Sequence, residues 1–200
     1  ITRQVLDKLA KPKPGSHKGD NGILTIIGGS RQYHGALVYA VESASRFVDL
    51  VYVHSPAKEN NEIIRFLKKR SAECIVISRS QLASVVEKSD CVLIGNGLAL
   101  TQANKHLVNS LLKKYSDKKF VLDAGALRLC DKKLFHDNII GTPHAKEFEA
   151  LFGCKASQNE AFMQARKWNC VVLLKGQTDC VSDGESIYCN TTGNAGMTKG

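Results

Sequence analysis

The sequence predicts an α/β fold: a mostly parallel central sheet, helices on both faces, and a β-hairpin near the C-terminal end. Three observations lead there. Short apolar runs alternate with segments of helical spacing along most of the chain, the pattern of a sheet covered on both sides. Aromatics are only 6% of the residues although 43% are hydrophobic, so the apolar weight falls on Val, Ile, Leu and Ala, as buried parallel strands require. Finally, Asp183-Gly184 stands between two alternating runs, 180–182 and 186–189, and Asp-Gly turns join antiparallel strands.

Residues 2–10 have helical spacing, with Val5, Leu6 and Leu9 apolar, and Lys11-Pro12-Lys13-Pro14-Gly15 breaks it. Residues 1–16 are therefore expected to form a helix and linker arm ahead of one domain, 17–200. Its first strand is expected over 22–27 and its first helix over 35–48, where Ala36, Ala40, Ser43 and Ala44 allow close packing. A strand at 49–54 precedes a helix at 59–70 with Ile63, Ile64 and Leu67 on one side. A strand at 74–78, a short helix at 81–88 and a strand at 90–95 follow. The helix over 101–115 carries Leu107, Leu111 and Leu112, and a strand at 119–123 comes after it. A short strand at 139–140 leads into a helix over 144–152, which Gly153 ends. A helix at 159–168 and a strand at 170–174 precede the hairpin.

The 28 Lys and Arg against 19 Asp and Glu give a formal charge of +9. They scatter over helix ends and loops, among them Lys68, Lys69, Arg70, Lys113, Lys114, Lys132 and Lys133. That distribution favours a solvated surface that attracts anionic small molecules and argues against nucleic acid as a partner. The seven cysteines are an odd number without a C-x-x-C pair, which argues against a disulfide framework and a zinc site. No apolar stretch is long enough for a bilayer and residues 1–14 have no signal core, so a cytoplasmic protein without a membrane partner is expected.

Ligands of open α/β sheets bind beyond the carboxyl ends of the strands, and the segments there are polar and glycine-rich. Gly28-Gly29-Ser30 to Gly35-Ala36 offers a sharp turn and a helix start, in neither the G-x-G-x-x-G nor the P-loop pattern. Gly95-Asn96-Gly97-Leu98 suits close backbone approach. Asp123, ending a strand, can hold a loop. In Thr142-Pro143-His144, Thr is expected to cap the following helix and Pro to take its first position, with His144 facing the ligand edge. Lys175 in Lys175-Gly176-Gln177-Thr178-Asp179 puts an ammonium where phosphate is a natural partner. Gly193-Asn194-Ala195-Gly196-Met197-Thr198-Lys199-Gly200 misses the P-loop at Thr198 and Gly200.

In this order, the segments resemble the ADP- or ATP-dependent NAD(P)H-hydrate dehydratases of the ribokinase-like superfamily. The resemblance rests on His17-Lys18-Gly19-Asp20-Asn21-Gly22 with Gly28-Gly29-Ser30, Gly95-Asn96-Gly97-Leu98, 121–127, Thr142-Pro143-His144 with Glu147-Phe148, 172–176 and 194–200. It implies a three-layer ribokinase-like fold and a lyase of metabolite repair. Such an enzyme returns hydrated NADH or NADPH, NAD(P)HX, to the reduced cofactor, with ADP or ATP as phosphate donor and Mg²⁺ helping. It also implies a homo-oligomer. Carried over, Ala36, Gly97, His144, Ala145, Lys146 and Glu147 would contact the substrate. Lys175, Gly176, Gln177, Thr178, Asp179, Asn194, Ala195, Gly196, Met197, Thr198, Lys199 and Gly200 would line the nucleotide. No protein ligand for the metal is assigned.

Three positions depart from the family pattern: Asn96 stands for its Pro, Ala99 for its last Gly, and Gly125 for a second Asp. The family's catalytic Asp is expected beyond Gly200, so no catalytic residue is assigned and the chain by itself is expected not to turn over substrate. Two other functions compete: a ribokinase-like kinase of a small vitamin precursor, and a non-catalytic nucleotide-binding relative.

Overall fold

The computed structural model describes residues 11–69 and 74–194. The expected helix over 2–10 lies outside these residues, as do Ala195, Gly196, Met197, Thr198, Lys199 and Gly200 of the last glycine-rich segment.

Nine strands of the described residues form one sheet. They are β1 (Ile23–Ile27), β2 (Leu50–His54), β3 (Cys74–Val76), β4 (Cys91–Ile94), β5 (Lys119–Leu122), β6 (Ile139–Gly141), β7 (Val171–Leu174), β8 (Asp179–Ser182) and β9 (Ile187–Asn190). Their order is β3-β2-β1-β4-β5-β6-β7-β8-β9. Strands β1 to β7 pair in parallel; β8 and β9 are antiparallel. This is the expected architecture. Adjacent Ile26 and Ile27 are both fully buried, because a strand covered on both faces has no solvent side, and it therefore reads as an unbroken apolar run.

The helices are α1 (Gly35–Ala44), α2 (Lys58–Leu67), α3 (Leu82–Lys88), α4 (Gln102–Lys114), α5 (Gly125–Leu129), α6 (Ala145–Phe152) and α7 (Gln158–Trp168). Leu37 and Val41 of α1 and Ile64 of α2 join Ile26, Val51, Val53 and Cys74 in one core cluster. Residues of α3 to α7 belong to the larger one, around Phe120, Leu122 and Phe148. Local chemistry sets several helix ends. Thr101 Oγ1 accepts the Asn104 N–H at 3.2 Å and Ser157 Oγ the Glu160 N–H at 3.1 Å. Gly153 and Asn169 end α6 and α7 in the left-handed conformation.

Some local expectations need correction. The first helix stops at Ala44, short of 48. Helix α5 was not expected, since five residues are too few to show a period. The hairpin closes through four residues, 183–186, because Asp183 Oδ1 accepts the N–H groups of Glu185 and Ser186. A disulfide framework was not expected, yet Cys180 and Cys189 form one disulfide. The hairpin register sets the two residues directly opposite each other, a relation that spacing along the chain does not reveal. Cys130 and Cys170 are free thiols, and burial pushes both up to about 12; neither is a thiolate near neutral pH. Among the described residues, no helix is long and apolar enough to cross a membrane.

One buried group makes stability pH-dependent. His54 is 5% exposed at the end of β2. Burial holds its pKa below the usual 6.5; a bond to the Ile77 carbonyl opposes that shift and the charge of Arg79 adds to it. The unfolded chain takes up this proton more readily, so the stabilising contribution is complete above about pH 6.5 and declines as pH falls below it. Melting temperature is expected to drop between pH 7 and pH 5 by thermal denaturation, and the drop is expected to be smaller in His54→Gln.

Candidate active site

The strand order reverses between β1 and β4: β2 and β3 lie to one side, β5 to β7 to the other. At such a switch point the two connections leave in opposite directions and open a crevice at the carboxyl edge. The loops after β1 and β4 meet there. Gly28 N–H donates to the His54 carbonyl at 3.1 Å and Gly29 N–H to the Asn96 carbonyl at 2.6 Å. Gly97 has φ +66, and a Cβ on it would come within 2.5 Å of the Tyr33 carbonyl oxygen. The glycine there serves contact between two loops, beyond any approach to a ligand.

The next strand ends are joined by one carboxylate. Asp123, just past β5, accepts the Lys175 ammonium at 2.7 Å on Oδ1, where the Thr142 hydroxyl also lies at 2.8 Å. Its Oδ2 accepts Asn96 Nδ2 at 3.0 Å. The loops after β4, β5, β6 and β7 are thereby tied to one side chain. Asp123 is 19% exposed and Lys175 41%, a partly screened ion pair with two further hydrogen bonds. The Asn96 Oδ1 is buried without a partner among the described residues.

Thr142 does not cap α6 as expected, because its hydroxyl is held by Asp123. The cap is His144: its Nδ1 accepts the N–H groups of Lys146 and Glu147 at 3.1 and 3.4 Å. Glu147 Oε2 returns the bond to the His144 N–H at 2.9 Å, a capping box with an imidazole in the usual hydroxyl position. These partners assign the ring proton to Nε2, which lies 3.5 Å from Glu147 Oε1. His144 also pairs with Lys175 in a parallel bridge, and Lys175 N–H donates to the Pro143 carbonyl at 2.8 Å. The helix start expected at the substrate and the lysine expected at the nucleotide are therefore neighbours.

Ala36 lies in the first turn of α1, half-buried. Ala145 and Lys146 are exposed at the start of α6. Gly176, Gln177 and Thr178 form the turn from β7 to β8, which Asp179 Oδ1 closes on the Gly176 N–H at 2.9 Å. Asn194 is the last described residue and is exposed. Asp123, Asn96 and Thr142 were not expected to meet; the signal for it was a polar side chain just beyond each apolar strand.

Ala124 carries strain, at φ 43 and ψ −111, a conformation a side chain disfavours. It aims the Gly125 N–H at the Gly95 carbonyl, 3.2 Å away. Gly125 is the position where the resemblance implied Asp. A Cβ there would come within 2.3 Å of the Leu98 carbonyl oxygen, so in this chain the loop after β4 fills the space of that side chain.

Asp123→Ala is expected to destabilise the fold by about 2 kcal/mol, the worth of a charge-assisted hydrogen-bond set left unmade, as read by urea denaturation. Gly125→Asp, although it restores the family residue, is expected to cost about 1–3 kcal/mol from overpacking in the same measurement.

The NAD(P)H-hydrate dehydratase family model matches residues 24–200. The bifunctional NAD(P)H-hydrate repair enzyme of Methanocaldococcus jannaschii is 35% identical over 201 residues, covering 98% of this chain and 39% of the relative. The ADP-dependent (S)-NAD(P)H-hydrate dehydratase of Nitrosopumilus maritimus is 36% identical over 195 residues, 88% of this chain and 67% of the relative. A ribokinase-like superfamily protein of Enterococcus faecalis superimposes with a TM-score of 0.88 at 24% identity, covering 100% of this chain and 74% of that one. The ADP/ATP-dependent NAD(P)H-hydrate dehydratase of Bacillus subtilis, co-crystallised with ATP/Mg²⁺, gives 0.78 at 23%, covering 98% and 73%. At those identities the two structures speak for the fold, which is ribokinase-like. The chain spans roughly two fifths of the length of the bifunctional relatives. On the extent of the family match and the 36% identity to a relative covered to 67% of its length, the chain belongs to the NAD(P)H-hydrate dehydratase family.

Proposed function

We propose that this protein is a lyase that returns hydrated NADH or NADPH to the reduced cofactor, with ADP or ATP as phosphate donor. The observation that carries the reading is the clamp on Asp123, which gathers the loops after β4 to β7 beside the switch-point crevice. The hydrate's hydroxyl loses its proton to a general base as its oxygen attacks the terminal phosphorus, and the nucleotide leaves with one phosphate fewer. The C–O bond then breaks, phosphate departs, and loss of a neighbouring ring proton restores the double bond. Both stages need positioning and charge neutralisation more than a covalent partner on the protein.

In this reading the dinucleotide lies along Ala36, Gly97 and the start of α6, His144 to Glu147. The nucleotide phosphates lie along Lys175 to Asp179 and Asn194 to Gly200. Lys175 brings positive charge to them while Asp123 fixes its direction. Among the described residues no three His, Cys, Asp or Glu side chains converge to hold a metal ion. Mg²⁺ would accompany the nucleotide phosphates and offset their charge, and no protein ligand for it is assigned. A cytoplasmic location and a homo-oligomeric state belong to the same proposal.

The test is recovery of reduced-nicotinamide absorbance from purified NADH hydrate by the full gene product with Mg²⁺ and either ADP or ATP. Recovery that requires nucleotide is the expected result, and the better donor is read from the same traces. A folded, nucleotide-binding protein that gives no recovery overturns the reading.

A further inference from the structure

A second cavity of about 560 Å³ opens on the same sheet edge, beyond β2 and β3. His54, Lys58, Ser78, Arg79 and His106 line it, and no carboxylate does. Among the described residues, neither Lys58 nor Arg79 has an acidic partner within salt-bridge distance. Two cations around one hollow, with no acidic partner among the described residues, make a receptor for an anion with several acceptor oxygens. Burial keeps His54 neutral more readily than a free imidazole, and its Nδ1 lies 3.3 Å from the Ile77 carbonyl. That contact places the ring proton on Nδ1 and leaves Nε2 as an acceptor for a ligand hydroxyl.

The cavity adjoins the switch-point crevice. The His54 carbonyl accepts the Gly28 N–H, and Asn104, on the cavity wall, donates to the Ala99 carbonyl at 2.8 Å. Lys175 lies at the other end of the site: β2 and β7 are five strand intervals apart, roughly 24 Å at the usual spacing. A phosphate held here is therefore not one that Lys175 neutralises. We propose that this cavity is a phosphate subsite for the dinucleotide, taking a phosphate remote from the nicotinamide. Its place along the dinucleotide rests on the dehydratase reading; its anion chemistry does not.

The phosphate has two possible sources: the pyrophosphate bridge, present in every substrate, and the 2′-phosphate, present only in the NADP form. The test measures dissociation constants of ADP-ribose and of 2′-phospho-ADP-ribose by calorimetry. It uses the full gene product with saturating ADP, as wild type and as the Lys58→Gln/Arg79→Gln double variant. Both side chains are exposed and lack an acidic partner among the described residues, and an unchanged melting temperature serves as the folding control. Weakening by about ten-fold or more is expected from the loss of charge-assisted bonds. Equal weakening of both probes assigns the bridge; weakening confined to the phosphorylated probe assigns the 2′-phosphate. These outcomes are read from binding alone, so they hold whether or not the hydrate is turned over. Absence of binding to the wild type, or constants within two-fold in the variant, overturns the proposal.

Discussion

The ion pair between Asp123 and Lys175 organises the candidate site. Parallel strands leave their carboxyl ends as separate loops, and nothing in the sheet's own hydrogen bonding fixes those loops to one another. One carboxylate does so by accepting from an ammonium, a hydroxyl and an amide that arrive from three other strand ends. Partial burial strengthens each bond relative to water, and the same burial makes an unmatched carboxylate costly there. The clamp also limits how Lys175 can act. Its ammonium is held in place by Asp123, so on the proposed reading a phosphate would meet a charge that needs little reordering.

The remaining definition comes from backbones that touch. The loops after β1, β4 and β5 lie so close that Gly97 and Gly125 face carbonyl oxygens where a side chain would begin. Strain at Ala124 belongs to the same arrangement, since it turns the Gly125 N–H onto the Gly95 carbonyl. The departures from the family pattern are linked through this packing. Asn96 reaches Asp123 with its amide, and Gly125 leaves room for Leu98.

His144 shows how one residue can serve the fold and the site together. Its Nδ1 lone pair completes the first turn of α6, which fixes the tautomer and leaves Nε2–H beside Glu147. The imidazole is half exposed at 52%, so capping the helix does not bury the ring. The net charge of +9 likewise resolves into places. Much of it is solvated, but Lys58 and Arg79 stand around one hollow with no acidic partner among the described residues.

The succession of strands and helices, the closing hairpin and the polar segments after each strand were legible from the order of residues alone. These are local: burial on two faces appears as apolar runs, and turn chemistry lies within a few residues. Order of motifs along the chain was enough for the family. Which strand lies beside which was decided only by the tertiary structure, and with it the switch point between β1 and β4. So were the partners of Asp123, which stand 27, 19 and 52 residues away. The pairing of Cys180 with Cys189, the choice of His144 over Thr142 as the cap, and the basic hollow beyond β2 and β3 belong to the same class. Each depends on sheet register or on a competing partner from a distant loop, and periodicity along the chain contains neither.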